Sequence, residues 1–390
     1  MNMESYPQTK LNIENAASFL GISAQRMQEL MERRVLVPNW NEYQHLFRFE
    51  HKALHIDIGS VLVQKSDGFS LILGFPKIKR AMLLGPAIKF NFGDIKRVAV
   101  EEKMNGYNVR VILLDGKLAA LTRSGHVCPY SSEKANDLLD HSFFTENPQL
   151  VVYGEMVGPD NPYVPKEIYG IESLELFVFD IRHKDTGLPL PLYERRRLAE
   201  KYGFRQVRLF GEFDILEAPS MITDIIREIG RKGHEGVVIK DPKMVLQPIK
   251  YTASQSNCSD LQHAMKVYNE SGRDFIFSRI VREGFQSVEW DESEEDFRKR
   301  CLQLGESILK PMKGSIIKVR DGGRVAEEFT IRVKDRTTIS KFEEYMRRLG
   351  MDIVFSEPET VGNEYLVHMT KVNKSTSDKT LAMWEGQLWS

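Results

Sequence analysis

The strongest fold signal in the 390-residue sequence is the dipeptide Asp115-Gly116, which separates two apolar runs at 109–114 and 117–122. A two-residue turn of this composition between such runs is typical of a β-hairpin. Strand-like runs surround it, at 98–100, 107–114, 118–122, 150–153, 174–181 and 236–239. Predicted helices at 193–202 and 220–231 lie between the later strands. This order predicts an α+β fold in which antiparallel sheets enclose a pocket, rather than alternating β and α units.

The segments before this strand-rich region predict a small mixed unit. Apolar spacing at 13–34, interrupted by Gly21, indicates two short helices. Strands are then predicted at 54–63 and 69–73, joined by the turn Ser66-Asp67-Gly68.

The segments after residue 251 also read as mixed structure. The polar stretch at 252–257 suits a domain boundary. Beyond it the sequence predicts, in order, a helix at 259–269, a strand at 275–290, an amphipathic helix at 292–309 ended by Pro311, strands at 316–320 and 325–333 around the turn 321–323, and a helix at 340–349.

Charge and hydropathy exclude a membrane-spanning class. No uninterrupted apolar run approaches the roughly 18 residues of a membrane span, and the first six residues lack the segments of a secretory signal. We therefore expect a soluble, cytoplasmic protein with no membrane partner. The formal net charge of −1 neither supports nor excludes a nucleic-acid partner. Cys128, Cys258 and Cys301 show no Cys-x-x-Cys spacing, which predicts reduced thiols and no zinc site.

A single lysine, Lys103, follows one of the predicted strands and precedes Gly106 by three residues. A covalent nucleophile could sit at such a bend. Lysine attacks only through its neutral amine, and its free pKa is about 10.4, so such a site needs burial or neighbouring cations that lower the pKa. A solvated lysine beside a turn glycine is the alternative that this stretch alone leaves open.

Five segments in a fixed order are together more specific than this stretch. They are the runs 101–111, 152–156, 176–180, 235–240 and 249–252. In this order they resemble the nucleotidyl motifs of the covalent nucleotidyltransferase superfamily, which contains ATP-dependent DNA and RNA ligases and mRNA capping guanylyltransferases. The runs 102–108, 153–159 and 250–255 are most similar to the archaeal homodimeric ATP-dependent RNA ligase family. The similarity covers most of the chain.

The resemblance implies a nucleotidyltransferase core with an antiparallel sheet and smaller mixed α/β flanking domains. It divides the chain into an N-terminal module at 1–65, an adenylyltransferase domain at 66–252, a dimerisation domain at 253–311 and a C-terminal domain at 312–390.

The resemblance also implies the catalytic residues. Lys103 would form a phosphoramide with AMP, while Lys240 and Lys250 would lie beside the α-phosphate, lowering the pKa of Lys103 and stabilising the transition state. Without the neighbouring motifs, Lys240 and Lys250 could equally be solvated lysines at strand ends.

The remaining predicted site residues contact the nucleotide and a metal ion. Glu155 resembles the carboxylate that accepts hydrogen bonds from the ribose hydroxyls, and Phe179 the ring that stacks on adenine, although core packing beside Phe177 is also open. Glu235 would help to hold Mg²⁺, for which Mn²⁺ could substitute. The complete set of predicted nucleotide-binding residues is Glu102, Lys103, Asn108, Arg123, Glu155, Phe179, Lys240 and Lys250.

The implied function is an ATP-dependent RNA ligase that joins or circularises 5′-phosphate and 3′-hydroxyl ends of single-stranded RNA through a lysyl-AMP intermediate. The implied assembly is a homodimer, and single-stranded DNA is a further candidate substrate. Asn105 and Asn108 depart from the Lys-x-Asp-Gly-x-Arg form usual in DNA ligases and capping enzymes, which favours the RNA ligases.

Three alternatives stay open. Two belong to the same superfamily, an ATP-dependent DNA ligase and a capping guanylyltransferase. The third is a non-catalytic nucleic-acid-binding module, because the predicted helices at 13–34 resemble a helix-turn-helix that ends in Arg33-Arg34.

Overall fold

The computed structural model describes residues 10–164 and 167–388. The first six residues, considered above as a signal segment, lie outside this part of the chain. Within it, no helix is both long and apolar enough to cross a membrane. All three cysteines are free thiols; Cys128 and Cys258 are buried and Cys301 is exposed.

The N-terminal part consists of two helices and an antiparallel sheet. Helices α1 (Ile13–Leu20) and α2 (Ala24–Glu32) confirm the two predicted helices, and Gly21 ends α1 in the left-handed region at φ +67°. The sheet, which we call sheet one, contains β1 (Leu36–Pro38), β2 (Leu46–Phe49), β3 (Val61–Lys65) and β4 (Gly68–Ile72) in that order, with a short 3-10 helix at Asn41–Tyr43. Of the strand predicted at 54–63 only the end forms, because Leu54 and His55 adopt positive φ values.

Two sheets form the central part. Sheet two has the order β10-β9-β7-β8 and sheet three the order β11-β6-β12-β13-β5. Their strands are β5 (Lys79–Arg80), β6 (Arg97–Lys103), β7 (Tyr107–Leu114), β8 (Lys117–Thr122), β9 (Leu150–Val157), β10 (Glu175–His183), β11 (Leu209–Asp214), β12 (Gly236–Lys240) and β13 (Ile249–Thr252). The helices between them are α3 (Leu84–Phe92), α4 (Pro129–Leu138), α5 (His141–Glu146), α6 (Leu192–Lys201) and α7 (Ala218–Arg231).

Antiparallel pairing dominates both central sheets, which confirms the predicted α+β fold class. Only β13 and β5 pair in parallel among the described strands. The predicted hairpin is also confirmed: Leu114 pairs with Lys117, and Asp115 and Gly116 take φ values of +48° and +78°. Positive φ at both turn positions matches the right-handed twist of the flanking strands.

Three helices follow β13: α8 (Ser254–Lys266), α9 (Arg273–Glu289) and α10 (Glu294–Arg320). The strand predicted at 275–290 is therefore wrong. Its aromatic and β-branched residues imitate a strand, but Arg282 and Gln286 are fully buried four positions apart, as one helical face requires. Helix α8 also starts five residues earlier than predicted.

Helix α10 continues through Pro311 instead of ending before it. A proline inside a helix removes one backbone hydrogen bond at a cost of about 3 kcal/mol. Tertiary packing offsets this cost: Ser307 and Ser315 are buried on either side of the proline, and the Ser315 hydroxyl donates to the Lys266 carbonyl oxygen at the end of α8. The strand predicted at 316–320 is consequently the last turn of α10.

The C-terminal part is a sheet with two helices. It contains β14 (Ala326–Val333), α11 (Arg336–Arg348), β15 (Ile353–Phe355), β16 (Glu359–Val361), β17 (Glu364–Val372) and α12 (Lys374–Trp384). Helix α11 confirms the helix predicted at 340–349, and β14 the strand at 325–333. Phe342 of α11 stacks near Tyr130 of α4 with ring centroids 5.5 Å apart, so one apolar core joins this sheet to sheet two.

The domain division stays a prediction. The boundary at 65/66 falls in the turn between β3 and β4, and the boundary at 311/312 falls inside α10.

Candidate active site

A cavity of about 1250 Å³ is lined by residues of both central sheets. Successive strand residues point to opposite faces, and in sheet three Val100, Ile239 and Tyr251 pack into the core against α3 and α7. The intervening residues therefore face the cavity. They include Glu101, Lys103, Lys240 and Lys250.

Sheet two supplies the opposite wall by the same alternation. Val109, Met156 and Val178 point into its core, whereas Asn108, Glu155 and Phe179 line the cavity. Asn108 lies opposite Glu155 in the ladder. The pairing of β10 with β9 shifts between Val178 and Asp180, next to Phe179.

Two glycines allow the backbone approaches that place the lysine and its partner. A Cβ atom on Gly106 would lie 2.1 Å from the Met156 carbonyl oxygen, and one on Gly236 would lie 2.3 Å from that of Tyr251. Any side chain at either position would push apart strands that carry site residues. The glycine three residues after Lys103, and the one directly after Glu235, are thus explained by packing.

Lys103, the last residue of β6, donates to Glu235 Oε2 at 2.6 Å. Burial by itself lowers the pKa of the Lys103 amine, but the carboxylates of Glu235 and Glu155 outweigh burial, and the pKa is raised. The prediction that cationic neighbours lower the pKa of Lys103 is therefore wrong for this arrangement, because its closest charged partner is a carboxylate. The ammonium must lose a proton before it can act as a nucleophile.

The Glu235→Gln protein is expected to titrate Lys103 at lower pH than the native protein. Removing a negative charge disfavours the ammonium, and an adjacent opposite charge typically changes a pKa by roughly one to three units. The measurement is the pH dependence of Lys103 modification by an amine-selective reagent, followed by peptide mass spectrometry without ATP or metal. Glu306→Gln is the matched control, since Glu306 pairs with Lys310 on the surface of α10. An unchanged or upward titration in Glu235→Gln would contradict the assignment of Glu235 as the dominant charge.

Lys250 is a cation without a counter-ion. Within residues 10–164 and 167–388 its ammonium forms no ion pair. Burial lowers its pKa to about 8, and the charges of Lys103 and Arg80 act in the same direction. Since the ammonium already faces other cations, a phosphate group would relieve the repulsion. The predicted location of Lys250 beside a phosphate thus has an electrostatic basis.

Lys240 is also in the cavity wall, but it is held by protein groups. Its ammonium donates to Glu101 Oε2 at 2.7 Å and to the Phe179 carbonyl oxygen at 2.9 Å. Arg195 of α6 contacts the same carboxylate and the same carbonyl oxygen. Burial by itself raises the pKa of Glu101, but the charges of Lys240 and Arg195 outweigh burial and lower this pKa to about 2. Lys240 is therefore a rigid buried cation, and its catalytic role stays a prediction.

Phe179 combines the two predicted possibilities, packing and exposure to the cavity. Its ring lies 5.2 Å from that of Phe75 at an interplanar angle of 67°, and the Arg182 guanidinium lies 5.0 Å from the centroid of the Phe75 ring. Both rings line the cavity. One side of Phe179 is thus supported by protein, while the ring still borders the space where an adenine would stack.

The remaining predicted nucleotide-binding residues differ in their engagement. Burial raises the pKa of Glu155 to about 7 although Lys103 opposes this, and Asn108 Oδ1 is buried without a hydrogen-bond partner among the described residues. Arg123 is exposed at the end of β8 and borders the cavity. Glu102 pairs with His234 Nδ1 at 2.5 Å. An unsatisfied amide oxygen and a partly protonated carboxyl group on one wall fit a polar ligand such as a ribose.

A magnesium ion fits the carboxylates beside Lys103. No group of three or more His, Cys, Asp or Glu side chains in the described chain is arranged to hold a metal on its own. Magnesium, however, commonly uses one or two carboxylates together with substrate phosphates and water. Glu235 and Glu155, which both act on the Lys103 ammonium, offer such a pair.

Sequence reasoning missed several cavity residues. Glu101 is a charged residue in an apolar strand, two positions before Lys103, and strand alternation therefore places both side chains on one face. This pattern could have identified it. Asp260 carried no such signal, because it reaches the cavity only through α8. Arg80 of β5 also carried no signal, and its charge acts on Lys250. The Arg80 guanidinium donates to Thr252 Oγ1 and Asn257 Oδ1, next to Lys250.

Two family models match the chain. The model of the RNA ligase family matches residues 96–252, and that of the Ligase Pab1020 C-terminal region matches residues 263–387. The first match contains eight of the predicted site residues together with Glu235.

Full-length relatives match as well. A protein of Methanocaldococcus jannaschii named only as uncharacterized is 36% identical over 97% of both chains. Two structures of an archaeal ATP-dependent RNA ligase, forms 1 and 2, each superpose with a TM-score of 0.90 and 39% identity over 97% of this chain and all of theirs. A protein of Aquifex aeolicus described as an ATP-dependent DNA ligase superposes with a TM-score of 0.87 and 25% identity over 94% of this chain.

Proposed function

The chain belongs to the archaeal ATP-dependent RNA ligase family, and from this premise we propose that it seals 5′-phosphate and 3′-hydroxyl ends of single-stranded RNA, including the two ends of one strand. The observation that carries the proposal is the arrangement of Lys103, Glu235 and Lys250. A half-buried lysine is hydrogen-bonded to a carboxylate at 2.6 Å, and a cation that has no ion pair among the described residues lies within electrostatic range of the same amine.

The first step transfers AMP to the protein. Once the Lys103 ammonium has lost its proton to water, the neutral amine attacks the α-phosphorus of ATP. A nitrogen–phosphorus bond forms while the bond to the leaving pyrophosphate breaks. Lys250, on the same sheet as Lys103, stabilises charge on the phosphate oxygens, which is the kind of fixed electrostatic help that phosphoryl transfer requires.

The second and third steps use the same cations. A 5′-phosphate oxygen of the RNA attacks the adenylated phosphorus and releases Lys103, and a 3′-hydroxyl then attacks the activated RNA phosphorus and releases AMP. Each step is an in-line displacement at phosphorus, so Lys250 and the rigid Lys240 can serve all three.

Glu235 and Glu155 would hold the magnesium ion, for which manganese could substitute. Bound there, the ion would neutralise charge on the phosphate oxygens. A Glu235 carboxylate bound to the ion would no longer balance the positive charge of the Lys103 ammonium. The neutral amine would then be favoured. ATP and RNA as substrates agree with the proposed cytoplasmic location.

A DNA ligase is the second candidate, because the Aquifex aeolicus protein covers nearly the whole chain. Single-stranded DNA ends are accordingly included among the candidate substrates.

Labelling and sealing assays test the function together. The protein is incubated with α-labelled ATP and magnesium, and an acid-labile, alkali-stable adduct is expected. Sealing is then compared on 5′-phosphorylated single-stranded RNA, on the matching DNA and on nicked duplex DNA, with RNA expected to react best. Labelling by GTP instead of ATP would indicate a capping enzyme, preferred sealing of nicked duplex would indicate a DNA ligase, and a protein without any adduct would be a binding module.

The proposed assembly is a homodimer formed through α9 and α10. Both helices expose large apolar side chains. The most exposed are Phe277 and Val288 on α9 and Leu302 and Leu309 on α10. Leu302 and Leu309 are seven residues apart and share one face of α10. Adjacent exposed apolar stripes on two helices are unusual for a monomer, and a second copy of the chain would cover them.

Analytical ultracentrifugation tests this assembly. The native protein is expected to be a dimer at micromolar concentration, and Leu302→Asp is expected to weaken association at least tenfold, because it buries a charge in an apolar interface. Leu216→Asp is the control, since Leu216 is an exposed leucine in the turn between β11 and α7. A native monomer, or equal weakening by both substitutions, would contradict the interface.

A further inference from the structure

The cavity has a third wall, made by α8 and α9, that no part of the adenylation chemistry uses. Asp260 and Lys266 of α8 and Phe275 and Arg279 of α9 line the same space as Lys103. Asp260 is also near enough to act on the central amine: burial lowers the pKa of Lys103, while Glu235, Glu155 and, more weakly, Asp260 raise it. The wall therefore faces the reaction centre.

Arg279 presents a fixed flat cation on this wall. Its Nε and Nη2 atoms donate to Asp260 Oδ2 at 3.0 and 2.9 Å, and its guanidinium carbon lies 3.5 Å from the centroid of the Phe275 ring. The Asp260 carboxylate holds one edge of the Arg279 guanidinium plane, and the Phe275 ring packs against one face of that plane. Guanidinium planes and aromatic rings are the surfaces on which proteins stack unpaired bases.

The position of Phe275 and Arg279 on α9 separates them from the proposed dimer surface. At 100° per residue, positions 275, 279, 282 and 286 share one face. Arg282 and Gln286 on that face are fully buried in the protein, whereas Phe277 and Val288 point to the opposite side. The stacked pair therefore belongs to the cavity and not to the interface between two copies.

Cations line the route from this pair to Lys250. Lys266 borders the cavity and, in the part of the chain that the structure describes, forms no ion pair through its ammonium. Arg80 pairs with Lys250 across β5 and β13, behind the cavity lining: burial lowers its pKa, and the charge of Arg279 lowers it further. A phosphate beside Lys250 and a base over Arg279 would thus lie near several cations, while the Asp260 carboxylate on the same wall is already paired with Arg279.

We propose that the α8–α9 wall seats the terminal nucleotide of the 5′-phosphorylated RNA strand, with its base stacked on the Arg279–Phe275 pair and its phosphate beside Lys250. The inference rests on the proposed ligase function. A cavity with one aromatic border at Phe179 and a second stacking surface at Phe275 has places for two nucleosides, the adenosine and the RNA end. Pyrophosphate, which leaves from the side opposite Lys103, has no use for a stacking surface.

The test combines protein variants with an RNA that lacks one base. Phe275→Leu and Arg279→Lys each remove a planar surface while keeping apolar volume or charge. Enzyme already carrying lysyl-AMP is mixed with RNA whose 5′-terminal nucleotide is intact or abasic, and transfer of AMP is followed in a single turnover. Arg298→Ala is the control, because Arg298 is an exposed arginine of α10 outside the cavity lining.

With intact RNA, each variant is expected to lose roughly ten- to a hundredfold in apparent affinity, the range that stacking of one base contributes. The abasic RNA should cost the native protein a similar factor but cost the variants almost nothing, since the interaction is already absent. Adenylation by ATP should stay within about twofold of native in both variants, which also shows that they fold.

Other results overturn the inference. If the loss caused by a variant and the loss caused by the abasic RNA multiply when the two are combined, the base and the Arg279–Phe275 pair do not contact each other. Overlap with an abasic nucleotide at the 3′-hydroxyl end would assign the wall to the other strand end, and a large loss in adenylation would assign it to ATP. Failure of the native protein to seal any RNA would instead refute the proposed function, and the inference with it.

Discussion

The Lys103→Ala protein is expected to form no covalent adduct with AMP and to lose sealing of 5′-phosphorylated RNA by about 10⁴-fold or more, the scale seen when a catalytic nucleophile is removed. No other described lysine has its arrangement, in which the amine is hydrogen-bonded to Glu235 inside the cavity. Labelling with α-labelled ATP, followed by peptide mass spectrometry of the native adduct, measures both the loss and the site.

A second substrate separates loss of the nucleophile from loss of the fold. RNA that already carries a 5′-adenylate bypasses the lysyl-AMP step, so Lys103→Ala should still join it to a 3′-hydroxyl end at a measurable rate. Lys243→Ala is the matched control, because Lys243 lies exposed in the turn before β13. An adduct that persists in Lys103→Ala would identify a different nucleophile, and the proposed mechanism would fall.

The Lys250→Ala protein is expected to fold normally but to form lysyl-AMP at least roughly a hundredfold more slowly, since loss of one preorganised donor to a developing negative charge typically has an effect of this size. The substitution removes a half-buried cation that has no ion pair among the described residues, so it leaves no buried carboxylate unpaired. The thermal midpoint should therefore stay equal to or above that of the native protein.

Rates of adenylation measured in rapid quench across magnesium concentrations test this expectation. Lys250→Arg should recover part of the rate because the charge returns, whereas Lys250→Gln should not. Normal labelling in Lys250→Ala would remove Lys250 from the phosphate site. A large drop in the thermal midpoint would mean that Lys250 is structural, in contrast to its freedom from ion pairs.

The two central sheets were predictable because their signals are local. The Asp115-Gly116 turn requires positive φ at both positions, and the predicted strands at 98–100 and 236–239 end shortly before Lys103 and Lys240, which the structure includes in β6 and β12. The segments at 275–290 and 316–320 resemble strands in sequence because aromatic and β-branched residues occur in helices as well. Only the packing of α9 and α10 against α8 and β13 distinguishes the two cases.

The sequence by itself determined the family, the fold class and the nine predicted site residues, all of which line the cavity, because motif order and strand alternation are local properties of a sequence. The protonation of the central lysine was decided by tertiary structure. Glu235 is 132 positions from Lys103 in sequence, yet its carboxylate lies 2.6 Å from that amine. Electrostatic free energies depend on distance through space and on burial, and neither can be obtained from spacing along the chain.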